Sequence, residues 1–227
     1  MYRLAASIAI PCLSFATPAA ADCRVSGLIA KVITPPNSEI PDGGGFVVAA
    51  IAHHDGALAP GDAAVRPKWH ARIGSTAITP TIELLAPGLA TYRVTKTGSS
   101  SLEDDSGEVV GRATIASTKR DRLAAPRVRG LRYERSPNTM HSSEIVTAEL
   151  DEKIPDGALA IVVSDLKGKP RSFHVIQPGK PITPYYRFDC TPLPNGTIAS
   201  HKGDRVTLSW VDAAGRKSPE SAPITIR

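Results

Sequence analysis

The stretch IPDGGGFVVAA, from Ile40 to Ala50, is echoed by IPDGALAIVVS, from Ile154 to Ser164. Pro at the second position of a turn followed by Asp-Gly reverses the chain, and the unbroken apolar run after it reads as a strand covered on both faces. The two phrases lie 114 residues apart, and a second echo, AITPT at Ala77 against PITPY at Pro181, lies 104 apart. Spacings of that size point to tandem domains rather than to a short solenoid repeat.

Both halves read as β structure. In the first, CRVSGLIAKVI, GFVVAAIAH, TIELL, ATYRVT and EVVGRATIA are rich in branched residues and separated by Gly, Pro, Asp and Ser. In the second, EIVTAEL, ALAIVVSD, SFHVIQ, YYRFDC, RVTLSWVD and APITIR behave alike. With 18 Gly and 20 Pro among 227 residues, long helices are disfavoured and short strands joined by turns are favoured. In VTLSW, Val206, Leu208 and Trp210 alternate with Thr207 and Ser209, the pattern of a half-buried strand. Only DAAVRPKWHARI offers a helical turn, which Pro67 cuts short, and SSSLEDDSGE reads as a solvated loop. The expectation is an all-β chain of two tandem sandwiches, residues 22–120 and 121–227, joined through STKRDRLAAPRVRGLRYER.

Residues 1–21 read differently. A basic start at Arg3, an apolar run too short to span a bilayer, and small residues at Ala19 and Ala21 predict a secretory signal peptide cleaved before Asp22. Its removal takes the formal charge from +5 to +4, too mild for a nucleic-acid binder, and no later run is long enough for a membrane span. Cys12 leaves with the signal. Cys23 and Cys190 remain, and in an oxidising compartment they are expected to form a disulfide that closes nearly the whole mature chain. Lipid attachment at Cys23 is the competing reading, opposed by Asp22 where a small residue would be needed.

VITPPNSEIPDGGGFVVAAIA resembles the opening of bacterial immunoglobulin-like domains, and DRVTLSWVDAAGRKSPESAPITIR is similar to the last hairpin of immunoglobulin-like or fibronectin-type-III-like sandwiches. The resemblance implies two tandem immunoglobulin-like domains and no particular activity, since such sandwiches serve many functions. The second half holds a single cysteine, so an antibody-type disulfide within that sandwich is not implied.

Candidate chemistry is sparse. His53, His54 and Asp55 in AHHDGAL would suit a copper or zinc ion if the strand ends there and the turn redirects the adjacent histidines, and otherwise form polar surface. Arg127, Arg129 and Arg132 make an anion-facing patch for an acidic partner or surface polymer, or a charged edge strand protected from pairing. Ser164 and Lys167 have serine–lysine spacing on a strand end, where that chemistry wants a helix start. Glu103, Asp104, Asp105 and Glu108 lack calcium-loop spacing, and His174 reads as a half-exposed strand residue. Asn195 in NGT matches a glycosylation acceptor and is first a turn residue. No cofactor or catalytic residue is expected. The sequence thus predicts an exported, periplasmic or secreted binding or structural module of the bacterial envelope that is not an enzyme, with a periplasmic copper carrier as the alternative.

Overall fold

The computed structural model describes residues 27–53, 69–137, 142–188, 193 and 196–227. Residues 1–26, Cys23 among them, and His54, Asp55, Met140, Cys190 and Asn195 lie outside the described residues, so the signal peptide, the disulfide and two of the three metal candidates do too.

The first half holds β1 (Gly27–Val32), β2 (Ser38–Ile40), β3 (Gly45–His53), β4 (His70–Ile73), β5 (Thr76–Ile78), β6 (Thr81–Ala86), β7 (Leu89–Arg93), β8 (Gly98–Glu103) and β9 (Val109–Ile115). They form two sheets, β1-β3-β7-β6 and β2-β9-β8-β4-β5. Lettered in the immunoglobulin manner, these are A-B-E-D against A′-G-F-C-C′. The second half holds β10 (Val128–Pro137), β11 (Ser142–Leu150), β12 (Ala158–Ser164), β13 (Pro170–Val175), β14 (Ile182–Phe188), β15 (Arg205–Asp212) and β16 (Ile224–Thr225). Its sheets, β10-β11-β14 and β13-β12-β15-β16, are A-B-E against C′-C-F-G, a fibronectin-type-III-like arrangement with the strand after C moved to the other sheet. The chain is therefore all-β, with two immunoglobulin-like sandwiches in tandem.

The two IPDG phrases build the same turn. Gly44 N–H donates to Pro41 C=O at 3.0 Å and Ala158 N–H to Pro155 C=O at 3.1 Å. Pro thus opens the turn instead of occupying its second position, and Gly43 (φ 71°) and Gly157 (φ 82°) take the left-handed third position that disfavours a side chain. The repetition does not mark equivalent places, however. The first phrase enters strand B and the second enters strand C; likewise Ile78–Pro80 starts on the last residue of β5, whereas Ile182–Pro184 opens β14. What recurs is the chemistry of entering a doubly covered strand.

Each Val-rich strand supplies the other's second cover. Phe46, Val48 and Ala50 face the first core with Tyr92 and Leu102, while Ile161 and Val163 face the second with Trp210 and Leu208. Their alternate residues, Val47 and Ala49 on β3 and Ala160 and Val162 on β12, meet with Leu85, Leu89 and Val211 in a third cluster. Four sheet layers are stacked, and the middle layer of apolar contact joins the two halves. Close approach at its edge explains local glycines. Gly45 N–H donates to Ala214 C=O (3.2 Å) and Thr91 Oγ1 to Gly215 C=O (2.9 Å), and a Cβ on Gly45 or Gly215 would collide with Tyr92 C=O or Thr91.

The third cluster also corrects the half-buried reading of VTLSW. Thr207 and Ser209 are buried as well as Val206, Leu208 and Trp210, because the sheet face they occupy is not left to solvent. SSSLE corrects the loop reading: it is β8, central in its sheet, with Ser100 and Leu102 turned inward. Within DAAVRPKWHARI, the helical turn expected before Pro67 lies outside the described residues, and His70–Ile73 is strand β4, paired on both sides by β5 and β8.

Candidate functional site

The first strand changes sheet part-way along. β1 pairs with β3, the chain crosses at Ile33–Asn37, and β2 pairs in parallel with β9. Consecutive Pro35 and Pro36 cannot donate to either ladder, so the crossing falls where pairing must lapse. Asn37 (φ 59°) is the only non-glycine described residue with positive φ, and its N–H donates to Arg112 C=O at 2.9 Å. Thr34 closes the gap by accepting the Val47 N–H on Oγ1 at 2.8 Å.

Because β2 covers only Ala113–Ile115 of β9, the stretch Val109–Gly111 runs on without a paired neighbour on that side among the described residues. Between it and β1 lies a groove of about 620 Å³ whose far wall is supplied by Val175 and Gln177 of the second sandwich. Val32, Ile51 and Val109 make it apolar, and Val109 is 37% exposed. Lys31 and Arg112 are its only charged lining residues, and neither is in an ion pair among the described residues. That volume suits a ligand of moderate size or a short stretch of chain. Arg112 and Val109 also border a polar depression of about 340 Å³ with Arg72, Ser99, Ser101 and Glu103. There Arg72, Ser101 and Arg112 stand opposite one another across β4, β8 and β9. Arg72 is occupied by Glu103 (Nε to Oε1, 2.9 Å), whose carboxyl it holds below the usual range.

The residues singled out in the sequence are placed elsewhere. Arg127, Arg129 and Arg132 are each matched by a carboxylate: Glu152 at 3.0 Å, Asp151 at 2.9 Å and Glu134 at 2.9 Å. His53 ends β3, and the described residues include no group of three or more His, Cys, Asp or Glu placed to hold a metal ion. Ser164 is buried and Lys167 exposed, and the residue between them that matters is Asp165. Its Oδ1 accepts the amides of Lys167 and Lys169, and the Lys169 amide foremost lowers its pKa. Asp104 Oδ1 likewise accepts the amides of Ser106 and Glu108, and Asp212 Oδ1 those of Ala214 and Arg216. All three are Asp-x-x-Gly hairpins whose Gly (Gly107, Gly168, Gly215) has positive φ. The acidic cluster and the serine–lysine spacing are thus turn chemistry.

His174 is partly buried between β13 and β14. Its Nδ1 is 3.3 Å from Thr183 Oγ1, and its Nε2 is buried without a partner among the described residues. Burial pushes its pKa below the ordinary 6.5. The unfolded chain then takes up a proton that the folded one resists, so stability is full above that ordinary value and falls as pH drops from it toward the lowered one. Urea midpoints measured from pH 7.5 to 5 are expected to fall more steeply for the native protein than for His174→Leu. Parallel curves would show that the imidazole is not the cause.

No family model matches the chain, and no curated protein does. Among solved structures it is similar to a central fibronectin-III array of RIM-binding protein, at 14% identity over 89% of this chain and 62% of that one, with a TM-score of 0.27. The BSP domain of a biofilm associated protein gives 12% identity, 87% and 29% coverage and a TM-score of 0.24. The Yersinia pseudotuberculosis adhesin InvE gives 17%, 90% and 59%, with a TM-score of 0.20. The chain spans less than two thirds of each. These likenesses concern fold class alone, and the strand orders carry the assignment: two immunoglobulin- and fibronectin-III-like sandwiches in tandem.

Proposed function

We propose that the protein is an exported, non-catalytic binding module of the bacterial envelope, and that its ligand seat is the groove where β1, β9 and the second sandwich meet. The observation that carries this reading is the groove's construction. It needs both sandwiches, it is held by an apolar interface, and it presents two uncompensated cations over an apolar floor. Export rests on the amino-terminal signal pattern, and the module reading is supported by the roles of Asp104 and Asp165, whose carboxylates hold hairpin turns, and of Glu103, which pairs with Arg72. The ligand class favoured by Lys31 and Arg112 is anionic.

The test is site-specific photo-crosslinking in intact cells. A crosslinker at Val109 is expected to give a discrete adduct that weakens when Lys31 and Arg112 are both changed to Glu, whereas one at exposed Leu166, on the β12–β13 hairpin, gives none. Equal labelling at both positions, or labelling indifferent to the charge reversal, would discard the groove as the seat.

A further inference from the structure

We infer that the groove's occupant is an extended acidic segment of another exported protein, added as a new strand along the free edge of β1; this rests on the groove reading above. Exposed sheet edges are normally blunted, and the other edges here are. β2 and β5 have three residues each and β16 has two. β6 is broken by a register shift at Leu84/Ala86. β13 opens with Pro170 and is shifted at Val163/Ser164 of its partner, and β14 contains Pro184 beside a shift at Val146/Ala148. β10 is shifted at Val128/Gly130 and capped by the chain end, Tyr133 N–H donating to Arg227 C=O.

β1 has none of these devices, and the one charge it carries is the exposed Lys31. Its six residues match β3 one for one without a shift, contain no proline, and point no charge into the core. The pairing of Ile33 N–H with Val47 C=O (2.8 Å) sets the alternation. Ile29 and Lys31 are bonded toward β3, so the amides and carbonyls of Leu28, Ala30 and Val32 turn outward, with no partner among the described residues. Those free groups border the groove at Val32, beside Gly111, where a side chain would press on Val32.

Strand addition supplies affinity through the main chain and selectivity through alternate side chains. Small apolar side chains of the added strand would lie toward Val32 and Val109, and carboxylates would meet Lys31 and Arg112. No carboxylate lines the groove to compete with them. A second copy of this basic chain, formal charge +5, is a poorer electrostatic match.

The probe is a capped eight-residue peptide of alternating Val and Asp, titrated at low salt into the full chain, with amide exchange followed by NMR. Saturable uptake is expected, with exchange of the Leu28, Ala30 and Val32 amides slowed about tenfold or more. Methylating alternate peptide nitrogens should abolish binding, and Lys31→Glu with Arg112→Glu should weaken it roughly tenfold. Both positions are solvent-facing, so the double variant should remain folded. Binding that leaves those amides unchanged, or that tolerates methylation, overturns strand addition while the groove reading stands on its crosslink. No uptake at millimolar peptide, or protection of the same amides by self-association, also overturns it.

Discussion

Replacing Val162 with aspartate should separate the two sandwiches while leaving each folded. Val162 is fully buried on the outer face of β12, against Val47, Ala49 and Leu89 of the first sandwich. An unpaired carboxylate kept there would cost about 3–5 kcal/mol or more, and separation lets water reach it. The polar contacts at the rim, Gly45 N–H to the Ala214 carbonyl, Thr91 to Gly215 and Arg216 to the Arg120 carbonyl, are too few to hold the interface alone. Denaturation that is one transition in the native protein is expected to become two, and the radius of gyration in solution to rise. Val162→Ala, which loses about 2 kcal/mol of burial without adding charge, should keep both properties native. An aspartate variant that retained one transition and native dimensions would mean that the two halves are not packed through this face. Loss of the groove follows from separation, because Val175 and Gln177 withdraw with the second sandwich.

That dependence explains what was legible in the sequence. GFVVAAIAH coincides with β3 and RVTLSWVD with β15, because branched residues between turn formers fix a strand locally. The double covering of the IPDG strands was also visible, as an apolar run without alternation. What covers them is not, so Thr207 and Ser209 read as solvent-facing, whereas Val211 on the same face packs against the first sandwich and Thr207 bonds to Glu220. GSSSLE failed for a related reason: three serines carry little hydrophobic signal, and only neighbours on both sides make the segment a central strand. The groove had no local signature. Lys31, Arg112 and Val175 come from three distant segments, and only the proline pair in VITPPN, which forces the change of sheet, pointed to it. The Asp-x-x-Gly spacing was readable three times over and would have explained the acidic cluster and the serine–lysine pair as hairpins.

Trp210→Ala should be the most damaging single truncation in the second sandwich. Its side chain is fully buried among Ile161, Val163, Tyr185 and Leu208, and both its backbone groups are bonded to Ser218, the N–H donating to the hydroxyl and the C=O accepting the amide, each at 2.9 Å. Emptying a site of that size costs about 3–5 kcal/mol, a large share of the 5–15 kcal/mol typical of a domain. For the two sandwiches unfolding as one cooperative unit the melting point should fall by roughly 6–20 °C. The damage should spread, since β12 and β15 carry Ala160, Val162 and Val211 on their other face and unfolding them bares Val47, Ala49 and Leu89 of the first sandwich. Concentration-dependent aggregation is therefore expected just above the lowered melting point. Trp210→Phe separates volume from polarity. The indole Nε1 is buried without a partner among the described residues, so phenylalanine gives up part of the packing but also removes an unpaired donor worth about 1–3 kcal/mol. Its net cost should be well under half that of alanine. If phenylalanine proved as costly as alanine, the indole N–H would have to be making a bond that holds the core together.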